Sequence, residues 1–265
     1  NSAIAFSLIR HSVDNIPNTL GLITPDGNIN YDNITTFSAP SYGFLFSYAD
    51  FFGLKGLKIG GSGKVIHRRA GDFVTAWGFG LDLGVRYDYN QWRFGLMAKD
   101  ITTTYSVWNF NFSDDMAQDL LRAGNELPEE SSVEIALPRF TPGIARSHTI
   151  KNKVSILAEL NFEITTDGRR YTLVNGDLFS IDPDFGLEAT YSNIIFLRAG
   201  IGNFQKIKND FGDQTSLTFQ PNIGVGLKFM NLYVDYAFTD VGDQSIALYS
   251  HVFSLKLDMY KEPIR

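Results

Sequence analysis

Cysteine is absent from this chain of 265 residues, and methionine, histidine and tryptophan are scarce, at four, four and three copies. The lack of cysteine excludes disulfides and thiolate metal sites and leaves the redox compartment open. No apolar run approaches the ~18 residues that a membrane-spanning helix requires. Basic residues are the minority charge, and a formal net charge of −6 argues against a nucleic-acid partner. His11, His67, His148 and His251 are scattered, and none has a carboxylate or a second histidine at ligand spacing, so no metal site is expected. "GGSGKV" (60–65) lacks the full phosphate-loop spacing and carries Val65 where a hydroxyl belongs, so it reads as a glycine-rich strand. "RAGIGNF" (198–204) has two glycines at dinucleotide-fold spacing but no βαβ context. Nothing supports a serine–histidine pair, and neither enzymatic activity nor a cofactor is expected.

What the chain does have is glycine (24), phenylalanine (22) and tyrosine (12), a composition suited to strands and tight turns. "TAWGFGLDLGVRYDY" (75–89) alternates strictly: Trp77, Phe79, Leu81, Leu83, Val85 and Tyr87 lie on one face, and Ala76, Gly78, Gly80, Asp82, Gly84 and Arg86 on the other. The same pattern predicts twelve strands: 3–11, 41–51, 56–68, 74–88, 92–100, 138–148, 154–164, 185–192, 195–205, 215–229, 232–239 and 248–259. Short connections (52–55, 89–91, 149–153, 193–194, 230–231) alternate with longer ones (12–40, 69–73, 101–137, 165–184, 206–214, 240–247). That alternation is the mark of an up-and-down antiparallel barrel rather than a Greek-key sandwich. Ser113, the acids after it and Gly124 frame a short helix inside the longest loop. No linker or composition shift divides residues 1–265, so a single domain is the simplest count. The chain opens at Asn1 without methionine and reads as incomplete or processed there.

Alternation does not say which face meets water. A soluble, secreted β-domain with a Phe-rich core would place the aromatics inside; an outer-membrane barrel inverts this. Three features favour the membrane reading. Strands 74–88 and 215–229 exceed the ~9–11 residues needed to span a bilayer. Aromatics cluster at strand ends, as at Trp77, Tyr87 and Trp92. The polar face is crowded with glycine, which weakens a strand unless something must approach closely. On that face, Asp82, Arg86, Arg93, Glu159, Glu188 and Arg198 are candidates for a hydrogen-bonded network of mixed sign; a selective pore would show a ring of one sign. Asp82 and Arg86 stand ~13 Å apart along one strand and are each expected to find partners on neighbouring strands. Loops 12–40 and 101–137 mix apolar side chains with Asn, Thr and Asp, and Ile16, Asn18, Trp108, Phe110 and Phe112 are candidates for partner contact.

"SLIRHSVDNIPNT", "GDFVTAWGFGLDLGVRYDYNQWRFGLMAKDITTT", "LRAGIGNF" and "HVFSLKL" resemble the PorV/PorQ family of Gram-negative outer-membrane proteins, whose fold is similar to that of the FadL long-chain fatty-acid transporters. The resemblance implies fourteen strands with a plug, of which twelve strands are visible here. It implies an accessory barrel that binds cargo or a larger translocon barrel in type 9 secretion, as a hetero-oligomer, with lipid and lipopolysaccharide around it. A FadL-like channel for hydrophobic small molecules is the alternative. In either case the long loops are expected outside the cell, and the short turns and Arg265 in the periplasm.

Overall fold

The computed structural model describes residues 2–127, 129, 131–151, 153–208, 215–239 and 249–259. Among the described residues it is all-β and antiparallel, with one short α-helix and two single-turn 3-10 helices, Leu20–Leu22 and Tyr31–Asn33. The elements are β1 (Ala3–Asn18), β2 (Thr35–Phe51), β3 (Leu57–Ala70), β4 (Val74–Tyr89), β5 (Trp92–Lys99), β6 (Thr104–Phe110), α1 (Asp114–Arg122), β7 (Ser131–Ala136), β8 (Arg139–Ile150), β9 (Val154–Thr165), β10 (Val174–Asn175), β11 (Ser180–Tyr191), β12 (Ile195–Lys208), β13 (Thr215–Phe229), β14 (Leu232–Thr239) and β15 (Ser250–Leu257).

The hydrogen-bonded order β1-β2-β3-β4-β5-β8-β9-β11-β12-β13-β14-β15 is the predicted meander, and its twelve members are the predicted strands. β6, β7 and β10 lie off this path. The turns at the short-turn end are tight, with positive φ at Asn90, Lys151, Ser192, Asn193 and Met230. Such backbone matches the right-handed twist of the flanking strands. Predicted loop 240–247, part of loop 206–214 and Arg265 lie outside the described residues.

Several loops turn out to be shorter than the sequence pattern suggests. β1 continues to Asn18 and β2 begins at Thr35, so loop 12–40 contracts to residues 19–34. A register shift between Val13 and Ile16, with Asn15 at φ 59°, carries the strand through "DN", which reads as turn chemistry. Pro17 sits opposite Thr36, and β2 is the one strand paired with β1 among the described residues. Loop 101–137 contains the hairpin β6–β7, and β11 starts five residues before its predicted position. The helix is built as expected: Ser113 Oγ accepts from the Met116 N–H at 3.3 Å, Asp114 and Asp115 occupy the first turn, and Arg122 the last.

The chain packs as two compact units. The first holds Asn1–Phe51, Ile59–Leu83 and Lys99–Pro138; the second holds Phe52–Lys58, Gly84–Ala98 and Arg139–Arg265. Both exchange the usual faces. In the first, Leu81 is 47% exposed while its neighbour Asp82 is 6% exposed. β6 and β7 extend this pattern, with Tyr105, Val107, Val133 and Ile135 exposed and Thr104 and Ser106 buried. In the second, Leu197, Leu227 and Leu255 are exposed on the apolar face. The buried hydrophobic side chains among the described residues are three alanines, Ala76, Ala98 and Ala145. Among the described residues, no large aliphatic or aromatic side chain is buried.

Candidate functional site

The first candidate lies in the first unit, where β5 gives way to β6. Residues 100–103 leave the strand: Asp100 has φ 55° and Thr103 φ 60°. Positive φ is uncommon for any residue with a Cβ and costly for a β-branched one. Three buried side chains, Asp82, Asp100 and Thr104, and the half-buried Lys64 fasten the break. Lys64 on β3 reaches Asp82 at 2.7 Å and Asp100 at 2.6 Å. The Asp100 N–H donates to Asp82 Oδ1 at 2.8 Å, and the Thr104 hydroxyl donates to Asp100. Beyond the break, β4 pairs with β6 instead, from Val74↔Phe110 to Phe79↔Tyr105, and the Ile101 N–H donates to the Leu81 carbonyl. Gly80 makes the cluster possible: a Cβ there would overlap the Thr104 hydroxyl and come within 2.8 Å of Lys64 Cε. On the apolar side of the same break is a cavity of about 580 Å³, lined by Gly63, Val65, Phe79, Leu81, Thr103 and Tyr105 among others.

The second candidate is on the polar face of the second unit. Arg198 donates to Glu188 at 2.7 Å and to Asp235 at 2.5 Å, bridging three strands, and its guanidinium carbon sits 5.4 Å from the Phe196 ring centroid. Gly226 leaves room for this pair, since a Cβ there would overlap the Asp235 carboxylate. Beside Arg198 is a hollow of about 480 Å³ whose floor includes Gly186, Gly200, Gly202 and Gly224.

The nominated polar residues therefore fall into separate groups. Asp82 finds its partner on a neighbouring strand, as expected. Arg86 does not: it pairs within its own strand with Asp88 at 2.8 Å, and Lys58 reaches the same carboxylate at 3.1 Å. Side chains two apart share a face of the strand, which makes that pairing possible. Glu159 accepts from Asn161 at 2.7 Å, and Arg93 borders the same small cavity as Arg86 and Glu159.

The nominated loop residues are placed as follows. Trp108 and Phe110 lie on β6, on the face shared with Ser106, rather than in an irregular loop. Trp108 Nε1 donates to Glu134 at 2.7 Å, and Arg68 stacks over its ring at 5.7 Å. Phe110 stacks on Phe112 at 6.1 Å, and Phe112 on Phe73 at 5.9 Å. Ile16 pairs with Phe37 across the β1–β2 ladder, and Asn18 accepts from the Leu20 N–H at 3.1 Å.

Asp100 and Thr104 were not among the nominated residues. One signal was present. The apolar face of β5 carries even numbers (Trp92, Phe94, Leu96), and that of β6 carries odd ones (Tyr105, Val107). A change of parity within one run requires an interruption between them.

Fold and faces together define a class: an antiparallel meander with large apolar side chains outward and paired charges on the other face. No protein-family model and no curated protein matches the chain. Among solved structures it is similar to the crystal structure of the Ralstonia pickettii toluene transporter TbuX, at 15% identity and TM-score 0.47, over 89% of this chain and 72% of that one.

Proposed function

We propose that the chain forms wall of an outer-membrane β-barrel that admits hydrophobic small molecules. The exchange of faces supports the membrane placement. From Leu217 to Phe229 on β13, every second residue is apolar. That stripe runs ~40 Å along the strand and ~30 Å across it at a ~40° tilt, the depth of a hydrocarbon core.

The observation that carries the choice of cargo is the break at residues 100–103. It interrupts the strand run beside a hollow lined mainly by apolar-face side chains, and an ion cluster fixes the interruption. A molecule dissolved in the bilayer would meet a hollow lined by Phe79, Leu81 and Tyr105, with Lys64 and Gly80 also in its lining. The protein-binding accessory role in type 9 secretion draws on the long-loop residues, and the aromatics nominated for it are engaged within the first unit.

Gly63→Phe tests the reading. An added Cβ at Gly63 meets only Leu81 Cδ2, at 3.9 Å, so a ring fits by filling the cavity. Vesicles carrying the protein should take up an apolar fluorescent probe faster than empty vesicles, and Gly63→Phe should slow that uptake while heat-modifiable gel migration persists. Uptake unchanged by the substitution would reject the break as an entrance.

A further inference from the structure

The short-turn end of the second unit carries a charge pattern that the passage of apolar molecules does not use. Lys55 lies in the turn between β2 and β3, Arg146 on the apolar face of β8, and Lys151 and Lys153 in the turn between β8 and β9. None of the four makes an ion pair among the described residues, and no Asp or Glu of that unit is described on the apolar face or in a turn at this end. On the polar side, Asp88 is occupied by Arg86 and Lys58, and Asp258 by Lys256; Asp50, at the end of β2 in the first unit, accepts from the Tyr48 hydroxyl and the Phe51 N–H.

Aromatic side chains share this level. The Arg146 guanidinium carbon stands 5.0 Å from the Trp92 ring centroid, Tyr87 stacks on Tyr89 at 6.4 Å, and Trp92 on Phe94 at 6.5 Å. Trp92 begins its strand directly after the turn, and the Ser147 N–H donates to the Gln91 carbonyl at 2.9 Å, which fixes β8 against that turn. Amphipathic rings beside unpaired cations at the edge of an apolar band match the chemistry of a lipid headgroup layer. Basic clusters at such an edge attract anionic lipid.

We infer that this rim is a binding site for anionic phospholipid, with Arg146, Lys151 and Lys153 holding the headgroup phosphate and Trp92 packing against the glycerol and upper acyl chain. The inference rests on the membrane placement above. Charge complementarity and the continuity of the rim with the apolar band favour lipid over an acidic protein.

The test uses the full chain in vesicles, with Trp77→Phe and Trp108→Phe so that Trp92 alone reports. Brominated phosphatidylglycerol should quench Trp92 more strongly than brominated phosphatidylcholine at equal mole fraction, by about fivefold, the ratio that one fully effective basic residue supports. Arg146→Gln with Lys151→Gln and Lys153→Gln should bring the two lipids level. Should the tryptophan substitutions disturb folding, mass spectrometry of lipid retained by the unaltered chain and by the triple glutamine variant gives the same comparison. Equal quenching by both lipids, as a site for acidic protein would give, overturns the inference. So does a preference for phosphatidylglycerol that survives the triple substitution. Absence of quenching by either lipid would instead defeat the membrane placement itself.

Discussion

At the scale of single residues, neighbours on one strand have opposite requirements. Leu81 faces outward, and Leu81→Arg is expected to cost about 2–4 kcal/mol in vesicle-based unfolding if that face meets hydrocarbon near its midplane. A cost near zero would show that the face meets water. Gly80→Arg should also fail, for a different reason: the space is already held by Thr104 and Lys64. Gly84→Arg on the same face should fold, because a Cβ there meets only Met97 Sδ at 3.5 Å. Lys64→Met would leave Asp82 and Asp100 buried without their cation, and removing one partner of such a group costs about 3–5 kcal/mol. Removing one of the two buried negative charges with Asp82→Asn in the same chain, which returns the cluster to the net charge it has with Lys64 in place, should recover part of that loss.

At the scale of elements, the β6–β7 hairpin and the loops around it depend on side chains that also looked suited to binding. Phe37, Phe73, Phe112 and Phe110 form a continuous aromatic series in the first unit. Each such pair contributes ~0.5–1.5 kcal/mol beyond burial. Phe112→Ala should therefore expose residues 104–136 to limited proteolysis while leaving β1–β2 protected; an unchanged cleavage pattern would return these rings to the list of candidate partner contacts. The loop between β9 and β11 has a pH-dependent tie. The Arg170 guanidinium, donating to Asp167, holds that carboxyl below its usual range. A lowered carboxyl pKa stabilises above the unfolded value of ~3.9 and loses the contribution as pH falls through the folded one. Both side chains are about 40% exposed, so solvent screening keeps the effect well under ~1 kcal/mol. Hydrogen-exchange protection in residues 167–175, taken relative to the intrinsic rate at each pH, should fall below about pH 4, and Asp167→Asn should abolish that change.

At the scale of the whole molecule, the exposed apolar side chains are too many to be left in water. Monomeric soluble proteins seldom expose contiguous apolar patches beyond a few hundred Å². Here, long stretches of strand in both units are of this kind. The chain should extract only with detergent and aggregate when detergent is withdrawn. Clean solubility in plain buffer would overturn the membrane placement. Orientation is open to the same kind of measurement: protease added to intact cells should cut residues 19–34 and 111–130 and spare the turns at 89–91 and 149–153. The reverse pattern would invert the chain and move the proposed lipid-binding rim to the outer leaflet.

Much of this was legible in the sequence because strand periodicity is local. A period of two over residues 75–87 or 215–229 needs no knowledge of any other strand, and the alternation of short and long connections ordered the twelve-strand meander. Ser113 and Gly124 bounded the helix for the same reason, since caps act within a turn or two of backbone. What only the tertiary structure decided depends on register between strands. The Thr and Ser run at 102–106 looks like loop until β4 is seen to supply its hydrogen bonds, and Trp108 looks unpartnered until Glu134 and Arg68 arrive from β7 and β3. Lys64, Asp82 and Asp100 are spread over 37 residues of sequence, and only strand pairing brings their charges together. Local pattern set which side chains share a face; the partner of each charge was settled by which strands lie side by side, and at what offset.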